Sequence, residues 1–299
     1  MHITRSRCTL YAAALLMVLS LLAMGVNFFY YRYPGNNYFP PHTPVIFLTL
    51  LLVYSGLSLQ FGNSTRLTRL LKKLKEVIFY LLVILILTFA SNAVQYTPFP
   101  PIDEYIVFLE TSMGINLVEW MTWTSAHPAF KAMLNFLYYN LLDQMIVFPL
   151  IIIAAGRYHL IREYYFFLLT SAIIGLTFYY FFPTTAPASV LESPYFNQFQ
   201  QATGLKFWEI HHHIKPSTLE GGLIALPSFH VIWAWFCLYM LREWRILFYI
   251  FAPINFFLSL SCVLLGWHYP IDLLGSVIVI LITHFLHYLC HNFRRESKT

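Results

Sequence analysis

The chain has 299 residues, of which 59% are hydrophobic and only 10% charged, and its mean hydropathy is +0.63. A single soluble core of this size cannot bury so many apolar side chains, so a soluble globular protein is excluded and an all-α integral membrane protein is expected. The net charge of +5 is explained by topology, as shown below, and calls for no nucleic acid.

Eight apolar segments approach or exceed the ~20 residues that cross a ~30 Å hydrocarbon core. They lie near 8–31, 45–61, 77–95, 134–155, 164–183, 223–241, 246–266 and 270–290. Arg5 and Arg7 precede the first, which has no small-residue cleavage site after it and is expected to be a retained anchor. The basic stretch RLTRLLKKLK at 66–75 has amphipathic spacing suited to anionic lipid. Between the third and fourth segments, 102–126 mixes Asp103, Glu104, Glu110 and Glu119 with aromatic residues, the pattern of an amphipathic interfacial helix.

Alternation of eight spans from a cytoplasmic N-terminus puts all but Arg32, Lys131, Lys206 and Lys215 of the 18 Lys and Arg on the inner side. That asymmetry predicts a multi-pass protein with both termini in the cytoplasm. Cys8, Cys237, Cys262 and Cys290 all lie in or at the ends of spans, so no structural disulfide is expected.

Three polar junctions then fall together on the outer face: FFPTTAP at 181–187, PSFH at 227–230 and GWHYPIDLLG at 266–275. His268 and Asp272 are four residues apart at a helix start with Pro270 in its first turn, which lets the carboxylate lie under the imidazole. Such a carboxylate fixes the tautomer and stabilises the charge created when the ring attacks. Ser228 and the first turn after Pro227 offer donors to a phosphate, and His230 can deliver a proton to a leaving oxygen.

PSFH followed by HYPID resembles the type 2 phosphatidic acid phosphatase superfamily, over roughly residues 102 to 290. The resemblance implies a six-helix core in 102–299, with 1–101 as an N-terminal extension of about three helices. It makes His268 the nucleophile that forms a phosphohistidine, Asp272 its orienting carboxylate and His230 the general acid. The Lys and Arg residues of the phosphatase motifs are missing: Phe182-Pro183 and Ser261-Cys262 stand in their places.

The H-Y-x-x-D pattern and FPTTAP, with Pro183 and Pro187, resemble instead the branch of inositol phosphorylceramide synthases and sphingomyelin synthases. A phosphodiester carries one negative charge where a phosphomonoester carries close to two, so a site poor in cations suits the diester. The expected function is therefore transfer of a phospho-head group between membrane lipids at the periplasmic, lumenal or exterior face, with a lipid or water as acceptor. The mechanism needs no metal or other cofactor. The alternatives are a phosphatase acting on phosphatidic acid or a polyprenyl or sphingoid phosphate, and a non-catalytic lipid-binding or transport protein.

Asp143 and Asn140, on one face of the fourth span with Gln144, are expected either to line the head-group cavity or to bond neighbouring helices. Lys215 is a candidate phosphate contact. His211, His212 and His213 point in different directions and read as a solvated loop rather than a metal site.

Overall fold

Among the residues described by the computed structural model (2–36, 39, 42–61, 65–219 and 225–292), eleven α-helices and no strand are found. The N-terminal part forms α1 (His2–Val26), extended by a π-helical turn to Tyr31, α2 (His42–Phe61) and α3 (Thr65–Val94). Two short helices follow, α4 (Asp103–Ser112) and α5 (Leu117–Ser125). Then come α6 (Pro128–Ala154), α7 (Tyr158–Phe181) and α8 (Gln198–His211). The chain ends with α9 (Phe229–Met240), α10 (Arg245–Leu264) and α11 (Pro270–Asn292).

Seven of these, α1, α2, α3, α6, α7, α10 and α11, are long and apolar enough to cross a bilayer. The eighth expected span, 223–241, is shorter than the apolar run suggests. Its helix α9 has 12 residues, roughly 18 Å at 1.5 Å per residue, because 225–228 are not helical and 220–224 lie outside the described residues. Non-helical backbone at membrane depth is tolerated where protein surrounds it. Here Ala225, Leu226 and Ser228 are all under a tenth exposed, and the Leu226 N–H donates to Thr184 Oγ1 at 2.9 Å.

Residues 102–299 contribute four of these seven, α6, α7, α10 and α11, together with the shorter α9; α3 packs along both α6 and α7. Tyr80 of α3 donates to the Met145 carbonyl of α6, and Tyr165 of α7 donates to the Glu76 carbonyl at 2.7 Å. The main apolar core runs between α1, α3, α6, α7, α9, α10 and α11, where Ile152, Leu168 and Phe236 are fully buried. The basic stretch at 66–75 is no separate loop: it forms the first turns of α3, and Lys73 donates to the Ala154 carbonyl at 2.7 Å.

The segment 102–126, expected as one interfacial helix, is broken in two. Gly114, at φ +76°, ends α4, and Asn116 caps α5 by accepting the Glu119 N–H at 3.1 Å. Tyr105 and Phe108 are exposed on α4 while Asp103 and Glu110 are buried, so these two carboxylates point toward protein, whereas Glu104 and Glu119 are exposed. At the far end of the bundle, Arg157 and His159 hold Glu243, Arg162 holds Glu76 and Arg242 holds Glu163.

Candidate active site

The turn between α10 and α11 delivers the first histidine. Gly266 sits at φ +78°, and a Cβ there would lie 2.5 Å from Met121 Sδ, so both conformation and space require glycine. The chain folds back so that Trp267 N–H and His268 N–H both donate to the Cys262 carbonyl, at 3.0 and 2.9 Å. Pro270 then opens α11 and brings Asp272 under His268.

His268 Nδ1 lies 3.1 Å from Asp272 Oδ2 and 2.9 Å from the Ala225 carbonyl oxygen. The carbonyl can only accept, which assigns the proton to Nδ1 and leaves Nε2 with a free lone pair. Asp272 is fully buried, and its Oδ2 also accepts the Tyr269 N–H at 2.9 Å while Oδ1 has no partner.

His230 is the second residue of α9, and its ring centroid is 5.9 Å from that of His268. Tyr138 of α6 stacks on His230 with centroids 4.2 Å apart and planes within 15°, and also stacks with Trp267 at 4.9 Å and 10°. Tyr138 therefore joins His230 to the turn that carries His268. Sequence reading missed it, because its partners are 92 and 129 residues away in the chain.

Both histidines line a cavity of ≈ 330 Å³, together with Tyr138, Tyr139, Trp233 and Trp267. Among the described residues, none that lines it is Lys, Arg, Asp or Glu. Such a pocket is apolar with two convergent polar groups, the usual form of a small-ligand site.

The other expected site residues fall elsewhere. Ser228 is fully buried at the start of α9, with its hydroxyl toward Cys262 Sγ at 4.0 Å and its carbonyl accepting from Ser276 at 3.0 Å. It ties α9 to α10 and α11 and does not line the cavity. Pro183 is buried in the loop after α7, where its carbonyl accepts the Ile102 N–H at 2.9 Å; it is Ala186 of that loop that reaches the cavity. Asn140 accepts from Gln144 within α6 at 3.2 Å, whereas Asp143 is exposed on the outward side of the helix and does not line the cavity. Lys215 is exposed, and Lys206 is buried with its ammonium donating to the Leu219 carbonyl at 3.3 Å; neither lines the cavity.

The histidine tract is the solvated loop expected only in part: His212 and His213 are exposed in a turn, whereas His211 belongs to a helix. His211 ends α8 with its two ring nitrogens 2.8 and 2.9 Å from the Phe207 and Thr97 carbonyls, and Tyr33 packs on His211 and His213. The tract thus joins α8 to the N-terminal part of the chain. Among the described residues no group of three or more His, Cys, Asp or Glu is placed to hold a metal ion.

A second layer of carboxylates supports the pair. Asp103 Oδ1 accepts from the Tyr269 hydroxyl at 2.9 Å, and its Oδ2 accepts from Thr185 N–H and Oγ1 at 2.8 and 3.1 Å. Glu110 Oε1 accepts the Ile271 N–H in the first turn of α11, also at 2.9 Å. Burial raises the Asp103 carboxyl to about 6, against the pull of its hydrogen bonds, and raises Glu110 to about 7.

No curated protein and no solved structure matches this chain. A family model described as the PAP2 superfamily matches residues 104–286, which contain His230, His268, Asp272 and all of the cavity, and the chain therefore belongs to the PAP2 superfamily, whose members are in general phosphatases or phosphotransferases acting on lipid phosphates.

Proposed function

We propose that this protein transfers a phospho-head group from one membrane lipid to the hydroxyl of another, through a phosphohistidine at His268, on the extracytoplasmic face. The observation that carries the reading is a histidine–carboxylate pair and a second histidine opening on one cavity that, among the described residues, no lysine or arginine lines. A monoester brings close to two negative charges and a diester one, so a pocket without fixed cations selects the diester.

In the first displacement, His268 Nε2 attacks phosphorus and forms an N–P bond while the P–O bond to the lipid alkoxide breaks. His230 gives that oxygen its proton, so a neutral alcohol leaves. Asp272 and the Ala225 carbonyl hold the Nδ1 proton in place, and the carboxylate offsets the positive charge that grows on the ring. In the second displacement the acceptor hydroxyl gives its proton to His230 as its oxygen attacks phosphorus, the N–P bond breaks, and His268 is regenerated. Tyr138, stacked on His230, keeps that ring turned to the same cavity in both steps.

The test offers phosphatidic acid, phosphatidylinositol and phosphatidylcholine in vesicles, each with and without ceramide or diacylglycerol, to the purified chain and to His268→Ala. Acceptor-dependent transfer that the variant lacks is the expected result. Release of inorganic phosphate from phosphatidic acid alone would make the protein a phosphatase, and equal turnover by the variant would remove His268 from the mechanism.

A further inference from the structure

We infer that Asp103 and Glu110, the two buried carboxylates of the interfacial helix α4, are positioning residues that hold the loops carrying the reacting groups, so that the seating of α4 sets the rate of phosphoryl transfer. The inference deepens the transfer reading and rests on it for its kinetic consequences alone.

Four bonds make the case. Asp103 grips the loop after α7 through Thr185 and the α10–α11 turn through Tyr269. Thr185 stands next to Ala186, a wall of the cavity, and Tyr269 stands next to His268. Tyr269 acts as a strut between two carboxylates: its hydroxyl donates to Asp103 and its backbone N–H to Asp272 Oδ2, the same oxygen that faces His268. Glu110 accepts the Ile271 N–H, one of the unpaired donors at the positive end of α11, one residue before Asp272.

Packing alone does not account for these residues. Asp103 and Glu110 are 1% and 4% exposed, and a buried carboxylate costs more than an apolar side chain of similar volume unless its bonds have another use. The ionisable groups facing Asp103 are Tyr179 of α7, Tyr269 and Asp272; those facing Glu110 are Tyr269 and Asp272. None of them is a cation, so the charge on each carboxylate is held by donors drawn from the site loops. On the opposite side of α4, Tyr105 and Phe108 are 76% and 75% exposed and suited to the membrane interface.

Protonation has a definite effect on this arrangement. Thr185 N–H and the Tyr269 hydroxyl both donate to Asp103, so a proton added to the carboxyl competes with them and weakens one loop contact. The rate constant kcat is therefore expected to fall as the pH drops through about 6, where Asp103 titrates.

The experiment uses the full chain in lipid vesicles and three variants, Asp103→Asn, Glu110→Gln and Tyr269→Phe. Amide hydrogen exchange is followed over 183–189 and 266–272, with α3 as reference, beside kcat, KM and the pH profile. Asp103→Asn is expected to lower kcat by about ten-fold, leave KM within about two-fold, remove the limb near pH 6 and speed exchange in both loops with α3 unchanged. Tyr269→Phe keeps the ring packed and serves if Asp103→Asn does not fold; because the two residues share one bond, combining Asp103→Asn with Tyr269→Phe should lose no more than the worse single variant.

Unchanged exchange in both loops, an effect confined to KM, or losses that simply add would overturn the inference. Exchange requires no turnover, so if none of the offered lipids reacts, the transfer reading fails while faster exchange in the loops still supports the grip of α4, and its absence still refutes it.

Discussion

Replacing Asp272 by Asn isolates the charge behind the nucleophile. The amide oxygen can take the place of Oδ2 and accept from both His268 Nδ1 and Tyr269 N–H, at 3.1 and 2.9 Å in the native site, while the NH₂ occupies the position of the unpartnered Oδ1. Geometry is kept and one negative charge is lost. The Ala225 carbonyl, 2.9 Å from Nδ1, continues to hold the proton on that nitrogen, so the tautomer survives.

What disappears is the stabilisation of the ring as it becomes positive. A hydrogen bond to a charged group contributes about 1.5–3 kcal/mol, which corresponds to roughly 10- to 150-fold in rate. We expect kcat for transfer to fall by about 10²-fold with KM little changed, read by steady-state transfer in vesicles and by single-turnover labelling of the protein. Activity within about two-fold of the native protein would refute the assignment of Asp272 as the supporting carboxylate. A fall to the level of His268→Ala would show that the Ala225 carbonyl does not hold the tautomer.

Three further outcomes follow from the same geometry. Gly266→Ala forces a side chain into φ +78° and against Met121, and should destabilise the chain by about 1–3 kcal/mol, lowering the thermal midpoint and the transfer rate together, whereas Gly25→Ala, with open space around it, should cost less than about 0.5 kcal/mol. Glu163→Gln leaves Arg242 without its charged partner at the far end of the bundle, and because Arg242 also lies over the Tyr239 ring the loss in thermal stability should be limited to about 1–3 kcal/mol with kcat intact. Asp103 and Glu110 bind their protons more tightly folded than unfolded, so their contribution to stability is full below the unfolded values of 3.8 and 4.5 and is lost as the pH rises through about 6 and about 7. Thermal unfolding at a series of pH values should show stability falling across that window, in the direction opposite to kcat, and Asp103→Asn should flatten the lower part of it.

Much of this was legible in the sequence wherever the signal was local. Seven of the eight expected spans follow from apolar runs, and the contact of His268 with Asp272 follows from a four-residue spacing around a proline, because both rest on the geometry of one helix. The residues that complete the site depend on contacts across the fold. Ala225 meets His268 from 43 positions away, Tyr269 meets Asp103 from 166, and Tyr138 reaches His230 from another helix.

Ser228 misled for the converse reason. A serine before a helix reads as a donor open to a phosphate, yet here Ser228 is fully buried and its hydroxyl turns into the contact with Cys262. The acidic and aromatic mixture of 102–126 was visible in the sequence, but helical periodicity alone could not tell that Asp103 and Glu110 face the loops while Glu104 and Glu119 face outward.

The central claim is a covalent phosphohistidine at residue 268, and the most direct measurement is its capture. The full chain in vesicles, given a donor lipid labelled in its phosphate and quenched within one turnover, should carry an acid-labile label on His268, absent from His268→Ala and discharged when an acceptor alcohol is added. A label that persists in His268→Ala, or transfer that proceeds with no labelled protein at any time, would contradict the account.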